Sequence, residues 1–213
     1  MNFNPENKFF NFMSKFGDFV VLNIIFIITC IPVFTIGASL CALYTVCKKR
    51  LADEESYIVR GYLAIWKENF FNATIIWLFF LALLPVLLFL VNLFTRHLNN
   101  AILFSFCLLI ILWYIFSMLY AFPLQATFIN TPFRILCNSF LTAMAHLPYT
   151  IVLFAVTMLP IVITLLFPVA LYFTLTYWML FGFSLNSIFS VMITKRVFKH
   201  YLPDETEETK EAE

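Results

Sequence analysis

Long stretches of this sequence carry no ionisable side chain, and short mixed segments separate them. From position 19 to 47 nothing titrates near neutral pH except a cysteine thiol. Further charge-free runs occupy 70–95, 101–128, 149–167 and 168–194. Each of these four is near or above the roughly 20 residues a helix needs to cross a hydrocarbon core about 30 Å thick. An open backbone in lipid satisfies its own polar groups only as a helix. The pattern therefore predicts an all-α polytopic membrane protein. Its single membrane domain covers 1–202, with spans at 70–95, 101–128, 149–167 and 168–195.

The first run poses a separate problem. As one straight helix, residues 19–47 would reach about 43 Å, which is long for one span and short for two. Either the run is one kinked helix with the N-terminus outside, or the chain folds back at Pro32. Lysine and arginine accumulate on the cytoplasmic side. The kinked helix leaves Lys8, Lys15 and Arg96 outside and ten cations inside, whereas the fold-back leaves only Arg96 outside and twelve inside. The fold-back fits the charge rule better. It predicts a broken helical hairpin over 17–51, turning at Pro32, Thr35 and Gly37, with Thr35 offered as an N-cap. Gly37 and Ala38 are small enough to admit a neighbouring helix closely. With the later spans, the hairpin makes five to six membrane-inserted helices, with both termini cytoplasmic.

Two segments have a mixed pattern. In 53–69, Ile58, Tyr62, Ile65 and Trp66 recur at helical spacing, continuing to Phe70, while Arg60 and Lys67 lie elsewhere. Asp53 is a candidate N-cap, with Glu54 and Glu55 in the first turn, where the helix dipole favours them. In 131–147, Thr131 can cap and Pro132 suits the first helical position. Phe133, Leu136, Cys137, Phe140, Met144 and Leu147 form one stripe, and Arg134, Asn138, Thr142 and His146 the other. Both segments read as amphipathic helices in the membrane interface. Each precedes a span, so an internal duplication is one reading of the order. Residues 203–213 read as a disordered acidic tail.

Composition sharpens this picture. The chain is 62% hydrophobic and 12% charged, with mean hydropathy +0.92, against about a quarter charged residues in soluble domains. Between Glu68 and Asp204 there is no carboxylate, and Arg96 and Arg134 are the only fixed cations before Lys195. Nucleic-acid binding is not expected, because no basic patch with interleaved aromatics occurs. The five cysteines lie in apolar segments without C-x-x-C spacing and read as small buried side chains.

The stretch from Gly17 to Thr74 resembles the YesL-like family of bacterial integral membrane proteins. The resemblance rests on Gly17-Asp18, Leu22-Asn23, the Pro32-x-x-Thr35-Ile36-Gly37-Ala38 turn, Ala42-Leu43-Tyr44, Asp53-Glu54-Glu55, Tyr57, Arg60, Asn69-Phe70 and Ala73-Thr74. Ser56 stands where the family pattern has glycine, and Trp66 where it has phenylalanine. The resemblance implies a bacterial cytoplasmic-membrane protein. Members are often encoded beside ABC-type sugar transporters and polysaccharide-degrading enzymes, which implies an association with carbohydrate uptake.

Candidate functional residues are few. Asp18 borders the first apolar run. At the bilayer centre its charge would cost about 2.5–3.5 kcal/mol on insertion scales, while at the run's start it is an interfacial residue favoured by the helix dipole. Asn23 lies on a similar side. Its amide either bonds another helix or joins Asp18 in lining a substrate or ion path. Asp53, Glu54, Glu55 and Arg60 read as a solvated helix start or as a partner-docking surface, and Asn69 enters through the resemblance. No enzyme, metal or cofactor is expected. H-E-x-x-H, G-x-S-x-G and Walker A patterns are missing, and His97, His146 and His200 are scattered. The expected function is a non-enzymatic accessory or regulatory role in carbohydrate uptake, through contact with an ABC-type transporter or sensor. The alternative is a small secondary transporter or channel acting as a homo-oligomer.

Overall fold

The computed structural model of the chain describes residues 5–52, 57–94, 101–166, 171–199 and 201. All the regular structure among them is helical. Helix α1 (Pro5–Thr29) leads through a 3-10 turn (Val33–Thr35) into α2 (Ile36–Leu51). Then follow α3 (Ile58–Leu93), α4 (Ala101–Thr127), α5 (Pro132–Ala145) and α6 (Leu147–Leu166). Helix α7 (Leu171–Tyr177), a π-helical segment (Trp178–Gly182) and α8 (Phe183–Phe198) complete the order.

Among the described residues, four helices are long and apolar enough to cross a membrane: Ile58–Leu93, Leu103–Thr127, Leu147–Leu166 and Thr174–Phe198. Their most apolar windows are only 17, 17, 11 and 22% buried inside the protein. Surface that oily and that uncovered requires hydrocarbon as its solvent. Four such helices stand where five to six membrane-inserted helices were expected. The difference lies in the first run, whose arms are Phe16–Thr29 and the 16-residue α2. Each is too short to meet a full-span length at 1.5 Å per residue.

The chain reverses between these arms. At the tip, the Thr35 hydroxyl donates to the carbonyls of Thr29 (2.6 Å) and Pro32 (2.7 Å). Ser39 then donates to the Thr29 hydroxyl at 3.0 Å, and at the open end Arg50 is ion-paired to Asp18. Thr35 occupies the N-cap position of α2 without a side-chain capping bond. Its hydroxyl reaches back to α1 because the carbonyls at the broken end of α1 need a donor.

Helix α3 lies antiparallel to α2. Ser39 of α2 receives the Trp66 indole N–H at 3.3 Å, and the Thr29 hydroxyl meets that of Tyr62 at 2.7 Å. Further along, Trp77 donates to the Val33 carbonyl at the hairpin tip (2.8 Å). Helix α3 also runs unbroken through 69/70, where the interfacial helix 53–69 was expected to hand over to the span 70–95. Polarity changes at this point, but the residues 67–72, Lys-Glu-Asn-Phe-Phe-Asn, include no helix breaker. Residues 53–55, expected to cap this helix, and the tail 203–213 lie outside the described residues, and the N-cap of α3 is Tyr57 with no acidic residue in the first turn.

Two larger cores and one small contact hold the bundle. One core joins Leu22 and Phe26 of α1 to Ala42–Cys47 of α2, Tyr62 of α3 and Ile188 and Val191 of α8. The other joins Ile76 and Phe80 of α3 to Tyr120–Leu124 of α4, Ile135 of α5, Leu153 of α6 and Val197 of α8. Helix α5 buries Ile135, Ser139, Thr142 and Ala143 and leaves Phe133, Cys137 and Met144 exposed. Small residues give the tighter packing, so Thr142, expected on the polar face, is buried instead.

The small contact brings Ala38 and Cys41 of α2 against Ala73 of α3. A Cβ on Gly37 would lie 2.3 Å from the Ala73 carbonyl oxygen and 2.6 Å from the Trp77 Cβ. Backbone cannot yield to a side chain cheaply, so Gly37→Ala should destabilise the fold by about 1–3 kcal/mol. Nothing lies within 4 Å of the same atom built on Gly17. Gly17→Ala should therefore be neutral or slightly stabilising. Thermal unfolding in mild detergent compares the two, and equal effects would contradict the assigned crossing.

Candidate functional site

Two of the expected site residues meet. Asp18, at the start of the apolar part of α1, and Arg60, in the first turn of α3, line one open cleft with Val21, Tyr57, Ile58 and Val59. Its volume is about 510 Å³. The Asp18 carboxylate accepts from the Arg50 guanidinium at the end of α2, and their side chains are 29% and 16% exposed. Partial shielding strengthens such a charge-assisted bond relative to a surface pair. Positions 18 and 50 are equally far along the chain from Phe34 at the hairpin tip. That spacing is the sequence signal that could have identified Arg50. Arg60 is exposed and makes no hydrogen bond or ion pair among the described residues. Asp53, Glu54 and Glu55 lie outside the described residues.

Asn23 does not join Asp18 in a polar path. It is fully buried, and its amide is inserted into the backbone of the π-helical segment. The amide nitrogen donates to the carbonyls of Trp178 and Met179, both at 2.9 Å. The amide oxygen accepts from the N–H groups of Phe183 (3.0 Å) and Ser184 (3.1 Å). In a regular α-helix the Phe183 N–H would donate to the Met179 carbonyl. Here both groups bond to Asn23, so the wider π turn leaves neither of them unsatisfied. The Ser184 hydroxyl adds a bond to the Phe19 carbonyl at 3.0 Å. Gly182 fits the π turn itself, since a Cβ there would approach the Trp178 ring to 2.7 Å and the Tyr177 ring to 3.0 Å.

The remaining candidates also hold helices together. Asn69 donates to the Ile65 carbonyl (3.2 Å) and accepts from Gln125 of α4 (3.3 Å). Pro32 and Thr35 form the hairpin tip, and Gly37 sits at the α2–α3 crossing. Sequence reasoning missed Arg50, Gln125 and the cluster of Thr29, Ser39, Tyr62 and Trp66. Among the described residues, no group of three or more His, Cys, Asp or Glu side chains is placed to hold a metal ion. The arrangement offers a charged cleft and a set of interhelical bonds, and away from both the His146 imidazole Nε2 lies 3.1 Å from the Tyr201 hydroxyl.

The fold and these bonds define a multi-pass helical membrane protein. Residues 19–93, about a third of the chain, match a family model described as "protein of unknown function, DUF624". That segment comprises most of the hairpin and the whole of α3, including Asn23, Gly37, Arg50 and Arg60. No curated protein and no solved structure matches the chain.

Two variants test the bonding. Asn23→Ala removes four hydrogen bonds but lets Phe183 return to the Met179 carbonyl, so it should cost about 1–3 kcal/mol. Asn23→Asp keeps the shape, loses both donors and faces two carbonyls with a negative charge. Detergent melting curves should rank wild type above Asn23→Ala and Asn23→Asp lowest. An Asp variant as stable as the Ala variant would refute the assigned donors. For the ion pair, Asp18→Arg or Arg50→Asp alone should lower the melting temperature. The double exchange should recover about 1 kcal/mol of coupling, and strictly additive losses would contradict the pairing.

Proposed function

We propose that this protein is a non-enzymatic accessory or regulatory component of the bacterial cytoplasmic membrane, associated with carbohydrate uptake. It works by helix contact with an ABC-type sugar transporter or a sensor. In this reading the hairpin arms enter the membrane beside the four long helices, giving five to six inserted helices. The lysine and arginine distribution then puts both termini in the cytoplasm.

One observation favours this reading over a transport path. The Asn23 amide, the best polar candidate inside the first core, has all four of its hydrogen bonds engaged with helix backbone. It is a fastener, with no valence left for a passing solute. The carbohydrate association rests on the family resemblance. The uncovered apolar faces of α3 and α6 supply surface for a membrane partner.

Co-expression with the sugar permease encoded nearest to it, followed by purification in mild detergent, tests the proposal. Stable co-purification at fixed stoichiometry is the expected result. Failure to associate, together with sugar-specific flux by the purified protein alone in liposomes, would replace it with the transporter reading.

A further inference from the structure

We propose that the cleft between α1 and α3 is a binding site for an anionic phospholipid, with Arg60 holding the phosphodiester of its headgroup. This goes beyond the accessory role and does not depend on it.

Charge selects an anion. Asp18 is matched by Arg50, so its carboxylate offers little to a cationic headgroup. Arg60, on the same cleft wall, is an exposed guanidinium with no hydrogen-bond or ion-pair partner among the described residues. Among the described residues, Asp18, Arg50 beside it and Arg60 sum to one positive charge. A guanidinium presents paired N–H groups that match two phosphate oxygens.

The walls select a lipid over a soluble phosphate. Val21 and Val59 line the cleft and are 42% and 45% exposed. From Val21 an exposed apolar row continues along α1 through Ile24 and Ile28, and from Val59 one continues along α3 to Leu63. The two rows follow helical spacing away from the charged end of the cleft. They offer an acyl chain a track and give a free anion nothing. Tyr57, 73% exposed at the mouth, pairs a ring with a hydroxyl, the type of side chain favoured at headgroup depth. All three charged groups flank the apolar hairpin at its open end, the depth a headgroup occupies.

Native mass spectrometry of the full chain, titrated with phosphatidylglycerol or phosphatidylethanolamine of identical chains, tests the site. The first phosphatidylglycerol should bind more tightly than phosphatidylethanolamine. Arg60→Ala should weaken it about fivefold while leaving the lipid-free melting temperature unchanged. Arg134→Ala, at an exposed position of α5, serves as the control and should leave binding unaltered. Glycerol 3-phosphate in excess should not displace the lipid. Equal affinity for the two lipids, an Arg60→Ala variant that binds like wild type, or displacement by glycerol 3-phosphate would each overturn the assignment.

Discussion

A polar group surrounded by hydrocarbon has to find its partner within the chain, and the architecture of this protein follows from that constraint. An unmet backbone group in lipid costs several kcal/mol. The hairpin tip is a direct case. Helix α1 ends at Thr29 inside apolar surroundings, where its last carbonyls would lack donors. Thr35 supplies one from across the turn, and the Thr29 hydroxyl meets Tyr62 of α3 and Ser39 of α2. One small polar cluster thus closes a helix end and fastens three helices.

Asn23 applies the same solution at a distance. The π-helical segment at Trp178–Gly182 widens the last span and disturbs its ladder of hydrogen bonds. A water-exposed helix could leave those groups to solvent, but here an amide from α1 takes two carbonyls and two N–H groups at once. Because asparagine has two donors and two good acceptor sites, no other neutral side chain of that length could do this. The π turn and Asn23 therefore have to be explained together, since each supplies the partners of the other.

Much of this was legible in the sequence, for reasons that also mark the limit. Charge is strongly excluded from hydrocarbon, so the runs at 70–95 and 101–128 announce themselves by composition alone. A first run too long for one span and too short for two already signalled a broken element. The continuity of α3 through Asn69 was hidden, because the change from polar to apolar at 69/70 marks a change of surroundings and leaves the helix intact. The partners of Asn23 were hidden for another reason: they are backbone groups 155 to 161 residues away, and backbone has no sequence signature. Arg50 lay between these cases, recoverable from its symmetry with Asp18 about the hairpin tip once a reversal was assumed.

The matched segment 19–93 is not a self-sufficient unit. Asn23 lies inside it, but every group the Asn23 amide bonds lies in the last fifth of the chain. Tyr44 of α2 is likewise hydrogen-bonded to Thr194 of α8, and Asn69 of α3 to Gln125 of α4. Cut at position 93, the segment would expose an unpartnered amide and a tyrosine hydroxyl to hydrocarbon. The later helices therefore complete the hairpin and do more than add length to it. Any relative built on the same segment must supply equivalent backbone groups from its own later helices or replace Asn23 by an apolar residue.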